Sequence, residues 1–86
     1  MATIELFGVP RLRAGTSRFE CDAATVGAAL RSLGEVFPAL LGSVIDGDRV
    51  RSTYILSING DRFVSEPDSP LRPHDVLMLL SADVGG

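Results

Sequence analysis

The stretch RFECDAATVGAALRSLG, residues 18–34, changes its hydrophobic period partway along. From Arg18 to Cys21 polar and apolar residues alternate, with Phe19 and Cys21 on one face, which is the pattern of a strand. From Val26 the apolar residues fall at i, i+3, i+4 and i+7, as Val26, Ala29, Leu30 and Leu33, one stripe of a helix. Asp22 or Thr25 is placed to cap its first turn, and Gly34 to end it. Neither a lone strand pair nor a lone helix can bury its apolar side, so the two must pack on each other.

Reading outward, Thr3 to Gly8 also alternates, with Ile4 and Leu6 on one face and Thr3, Glu5 and Phe7 on the other. Val9 to Thr16, with Pro10 and Gly15, reads as a hairpin turn joining this strand to the next. Beyond the helix, Val36 to Leu41 is a short apolar segment interrupted by Pro38, enough for one helical turn. Gly42 to Arg51 reads as a surface loop in which Asp46 and Asp48 are solvated charges. Tyr54 to Ile58 is strand-like. Asn59 and Gly60 suit a tight turn, and Arg62 to Ser65 returns. Glu66 to Asp75 holds three prolines and leads to the last strand, Val76 to Leu80.

The order is strand, strand, helix, strand, strand, strand. Other small α+β folds share this order, and the β-grasp (ubiquitin-like) arrangement meets it: a mixed four- to five-stranded sheet with one main helix packed on one face. The first and last strands would lie parallel at its centre. Residues 1–80 form the expected domain, and residues 81–86 an expected flexible tail.

Composition narrows the function classes. The chain has 86 residues, room for one small core. Its net charge is −3, its arginines are scattered, and a nucleic-acid groove is not expected. Every one of its eight cations is arginine. No apolar run reaches the roughly 18 residues of a membrane span, and Met1 to Pro10 does not read as a signal peptide, so a cytoplasmic location is expected. The single cysteine, Cys21, can make neither an internal disulfide nor a metal site alone, and its alternation with Phe19 puts it in the core. His74, the one histidine, lies between Pro73 and Asp75 in an expected surface turn. No nucleophile, base or metal constellation is apparent, so no intrinsic enzyme is expected.

Several short pieces then fall into a familiar order: Leu6-Phe7-Gly8, Arg11 and Gly15, Thr25-Val26, Ile58-Asn59-Gly60, Pro70-Leu71, Asp75-Val76, and finally Gly85-Gly86. In that order and spacing the chain resembles the ThiS/MoaD family of sulfur carrier proteins, prokaryotic relatives of ubiquitin, from Ile4 to Gly86. It departs from the family at His74-Asp75, where a Gly-Asp pair is common, and at Ser81-Ala82-Asp83, where a proline pair is common. The long loop before Tyr54 leans toward MoaD-like or cysteine-biosynthetic carriers.

The resemblance implies that the protein is a cosubstrate. A ubiquitin-activating-like adenylyltransferase of the MoeB/ThiF type would use ATP and Mg²⁺ to adenylate the carboxylate of Gly86. A sulfide or persulfide donor would turn the adenylate into a thiocarboxylate, and a sulfur-accepting synthase would use it. Ser81, Ala82, Asp83, Val84 and Gly85 would thread the partner's active site, where glycine at the end leaves no Cβ to obstruct attack. The alternative is a ubiquitin-like modifier joined through Gly86 to lysines of other proteins. A binding-only domain with an incidental Gly-Gly end is the third reading.

Val76 to Leu80 has no polar alternation, so both faces of that strand are expected to be apolar. With Val76, Met78 and Leu80 toward the helix, Leu77 and Leu79 face outward beside Phe7 and Ile55. Phe7, Ile55, Leu77 and Leu79 are thus the expected partner-binding patch, joined by Arg11, which matches an arginine of the family.

Overall fold

The computed structural model describes residues 1–82. Its elements are β1 (Ala2–Leu6), α1 (Val9–Ala14), β2 (Arg18–Cys21), α2 (Val26–Val36), a 3-10 turn (Pro38–Leu40), β3 (Ile45–Asp46), β4 (Arg49–Val50), β5 (Tyr54–Ile58), β6 (Arg62–Val64) and β7 (Val76–Ser81). The main sheet has the order β2-β1-β7-β5-β6, and β3 with β4 makes a separate two-stranded ribbon. β1 and β7 run parallel at the centre, while the other pairs are antiparallel. This is the β-grasp arrangement, with α2 across one face.

The helix forms where its stripe predicts. Val26, Ala29, Leu30 and Leu33 are all buried, and Thr25, rather than Asp22, caps the first turn by accepting from Ala28 N–H at 3.2 Å. Against them the sheet presents Ile4, Leu6, Leu56, Ile58, Leu77 and Leu79. Each fully buried aliphatic side chain of this size contributes about 1.5–3 kcal/mol relative to an exposed one.

Four expectations are corrected. Val9 to Ala14 is a helix, not the turn of a hairpin. Pro10 stands in its first turn, where a missing N–H costs nothing, and Gly15 closes it with its N–H on Arg11 O at 2.9 Å. Gly34 lies inside α2 and does not end it. An added Cβ there would stand 2.6 Å from Leu41 Cδ2, so the exposed Leu41 side chain would have to shift. The segment 42–51 is more than a surface loop: it folds into the β3–β4 ribbon and buries Val44 and Ile45. Finally, Leu77 and Leu79 have no exposed surface and belong to the core, because β7 pairs with β1 in the register Ile4 to Leu77 and Leu6 to Leu79. Val76, Met78 and Leu80 take the opposite, open face. A strand apolar on both sides carries no local sign of its phase, and a shift of one residue exchanges its faces.

The start of β7 is pinned by one side chain from the β5–β6 turn. Asn59 and Gly60 both have positive φ, and Asp61 N–H closes the turn on Ile58 O at 3.2 Å. Asn59 Oδ1 accepts from Val76 N–H at 2.9 Å, and its Nδ2 donates to Asp75 Oδ1 at 3.1 Å. Asp75 Oδ2 also accepts from Arg72 N–H at 2.9 Å. These bonds, the Arg72 N–H first, hold the Asp75 carboxyl below its ordinary value of 3.8. A carboxyl lowered on folding stabilises the fold above its unfolded value, and that stabilisation is lost as pH falls through the lower, folded value. Wild type should therefore lose stability more steeply than Asp75→Asn as pH is lowered from about 5 to about 2. Parallel denaturant curves over that range check this; identical slopes for the two proteins would remove the linkage.

Candidate functional site: the root of the tail and the open sheet face

β7 is the central strand, so whatever follows it leaves from the middle of the sheet rather than from an edge. Its last pairs are Leu80 with Ile55 and Ser81 with Tyr54. One residue further, Ala82 N–H still donates to Thr53 O at 2.8 Å. On the other side Phe7 N–H donates to Leu79 O at 3.2 Å, and α1 follows directly and packs beside β7. Ser81 and Ala82 are thus held by the sheet, and they line a shallow hollow with Ser52, Thr53 and Tyr54. Asp83, Val84, Gly85 and Gly86 lie outside the described residues.

The open face of the sheet adjoins this root. Leu80 and Ile55 are directly opposed and half-buried, with Phe7 beside them at 37% exposure. Met78 is opposed to Ser57, and Ser57 to Phe63, which is 75% exposed. The apolar face nearest the tail is therefore Phe7, Ile55 and Leu80, extended by Met78 and Phe63. Two of the residues expected there, Phe7 and Ile55, are in place; Leu77 and Leu79 are not. Met78, Leu80 and Phe63 were not anticipated. The signal that places the first two is non-local, the pairing of Leu6 with Leu79, and it cannot be read from β7 alone. Arg11 is exposed on α1 and lines a shallow depression with Leu12, Gly15, Thr16 and Ser17, which includes no residue of that row.

Solved structures share this architecture. The chain matches SAMP1 from Haloferax volcanii with a TM-score of 0.83 and 27% identity, covering 99% of this chain and 98% of that one. A chain of the Amycolatopsis orientalis BexX/CysO complex matches with 0.83 and 18% identity over 100% of both. The putative molybdopterin converting factor subunit 1 from Pyrococcus furiosus matches with 0.75 and 22% identity, over 93% and 94%. Its structural neighbours are ThiS/MoaD-type ubiquitin-like sulfur carriers. The likeness covers 93% or more of this chain in each case. No family model and no curated protein matches the sequence.

The remaining candidates look structural beside that comparison. Cys21 is 6% exposed and packed in the core, and burial first of all pushes its thiol up from the ordinary value of 9.0. His74 is exposed at positive φ, and its N–H donates to Met1 O at 2.9 Å. Among the described residues no cluster of His, Cys, Asp and Glu could hold a metal ion. Among them, too, no helix is long and apolar enough to cross a membrane.

Proposed function

We propose that this protein is a sulfur carrier whose working group is the carboxylate of Gly86. The observation that carries the reading is the placement of the Gly-Gly end: Gly86 stands four residues beyond Ala82, whose N–H still bonds the sheet. Four residues extend at most about 14 Å, enough to enter an active-site cleft while the domain docks outside it. The adjoining row of Phe7, Ile55 and Leu80 would provide the docking contact.

A free α-carboxyl is an anion at neutral pH and a poor acyl donor as it stands. A partner adenylyltransferase would bind ATP and Mg²⁺. A carboxylate oxygen attacks the α-phosphorus and pyrophosphate leaves. Sulfide then attacks the carbonyl carbon, a C–S bond forms, the C–O bond to AMP breaks, and AMP departs. A persulfide donor would need a further thiol to cleave its S–S bond. The thiocarboxylate passes to a sulfur-accepting synthase; the structure of a CysO with BexX is a precedent for a chain of this fold held by a second protein. The carrier contributes no catalytic side chain. The lean toward MoaD-like or cysteine-biosynthetic pathways is part of this proposal.

A second reading is favoured by one comparison. The solved structure at 27% identity is a small archaeal modifier protein, so conjugation of Gly86 to lysines of other proteins shares the same activation step. Intact mass after incubation with ATP, sulfide and an adenylyltransferase of the MoeB/ThiF type separates the two. Exchange of one oxygen for sulfur is the expected result. An unchanged mass with an enzyme that is active on its own carrier would overturn the proposal, and adducts on a lysine-bearing protein without sulfur gain would favour the modifier.

A further inference from the structure

We infer that the arrangement of nucleophiles on this chain insulates its activated tail from attack by the protein that carries it. The inference rests on the proposal that Gly86 becomes an acyl donor. An acyl adenylate or thioester is consumed by any amine or thiolate within reach. The attacking atom bonds to the carbonyl carbon, the bond to AMP or sulfur breaks with its electron pair, and an attacking amine gives its proton to solvent.

The amine of Met1 and the thiol of Cys21 lie at one end of the sheet, with the His74 imidazole, and Ala82 at the root of the tail lies at the other. Cys21 pairs with Ala2 at the start of β1, and Met1 O accepts from His74 N–H just before β7 begins. Because β1 and β7 are parallel, Met1, Cys21 and His74 share the end where β7 starts. The six residues of β7, at about 3.3 Å each, put roughly 20 Å between that end and Ala82. Cys21 is also buried.

At the tail's own end the cations are arginine. The hollow at the tail root, lined by Ser52, Thr53, Tyr54, Ser81 and Ala82, continues through Ser52 and Tyr54 into a groove of about 380 Å³. Arg49, Arg51, Ile55 and Phe63 line that groove. Arg51 is two residues from Thr53, whose carbonyl accepts from Ala82 N–H at 2.8 Å, so it falls within the span of about 14 Å that four residues allow. A guanidinium keeps its charge in proteins and offers no lone pair to a carbonyl. It still offers positive charge to phosphate oxygens. A lysine there would titrate near 10.4 and expose a small fraction of free amine at pH 8, multiplied by the effective concentration of an intramolecular reaction.

The test uses the full chain carrying an alkyl thioester at Gly86, made chemically, with no activating enzyme. Wild type, Arg51→Lys and Arg72→Lys are incubated at pH 8 and followed by intact mass. Arg51→Lys should form the internal amide, lighter by one water than the hydrolysed chain, at least about tenfold faster than wild type. Arg72→Lys, placed before β7 at the far end, should stay at the wild-type level. Self-acylation of wild type as fast as that of Arg51→Lys, or no amide from Arg51→Lys, overturns the inference. Because the thioester bypasses adenylation, that failure is distinct from a failure to gain sulfur.

Discussion

Removing Gly86 should leave a folded protein that no longer gains sulfur. The core and the sheet pairing lie within residues 1–82, so deletion of the last residue should leave the melting curve in place. The chemistry should not survive. Deletion draws the carboxylate back by one residue, about 3.5 Å, from a position fixed by docking at the other end of the tail. A displacement of about 1 Å can already cost a factor of about 100 in an aligned displacement, so sulfur incorporation should fall by at least that much. Gly86→Ala keeps the length and adds one Cβ beside the reacting carbonyl, and a smaller loss, of roughly tenfold, is expected. The measurement is again intact mass, with pyrophosphate release as the earlier readout. A binding-only domain would bind its partner as before after truncation. Full sulfur gain by the truncated chain would sink the assignment of Gly86.

How much of this was legible in the sequence depends on whether the information was local. The stripe of Val26, Ala29, Leu30 and Leu33 could be read directly, because a helix repeats its own face. Asn59 and Gly60 could be read too, since positive φ at both turn positions restricts the residues that fit. α1 was hidden because Pro10 and Gly15 punctuate a helix and a turn equally well. The β3–β4 ribbon was hidden because two-residue strands are too short to show a period, and Val44 and Ile45 are buried only once the chain has folded into one core. The phase of β7 was hidden for a different reason: Val76, Leu77, Met78, Leu79 and Leu80 are apolar throughout, and only pairing with β1 chooses between the faces. The same ambiguity carried into the site. The Gly-Gly end needed no structure to be noticed, whereas of the residues expected on the open face Phe7 and Ile55 stand there and Leu77 and Leu79 do not.

That exchange makes Leu79 and Leu80 a paired test of opposite outcomes. Leu80→Glu places a carboxylate on the open face, opposite Ile55 and beside Phe7, where solvent can reach it. The fold should be retained, with a change in stability of about 1 kcal/mol or less. Its adenylation should fall at least about tenfold, because truncating or charging a central apolar contact commonly costs about 2 kcal/mol or more of binding. Leu79→Glu puts the same carboxylate where no surface is exposed, against Leu6 and Leu56. An unpaired buried charge costs several kcal/mol, comparable with the whole stability of a small domain, so this variant should not fold at pH 7. Leu79→Ala separates packing from charge: it should stay folded but lose about 2–5 kcal/mol. Circular dichroism melts and pyrophosphate release with the adenylyltransferase give both readouts on the same samples. A folded, fully active Leu80→Glu would remove the open face as the docking surface. A folded Leu79→Glu would mean that β7 is paired one residue out of the register described, and that Leu77 and Leu79 face solvent after all.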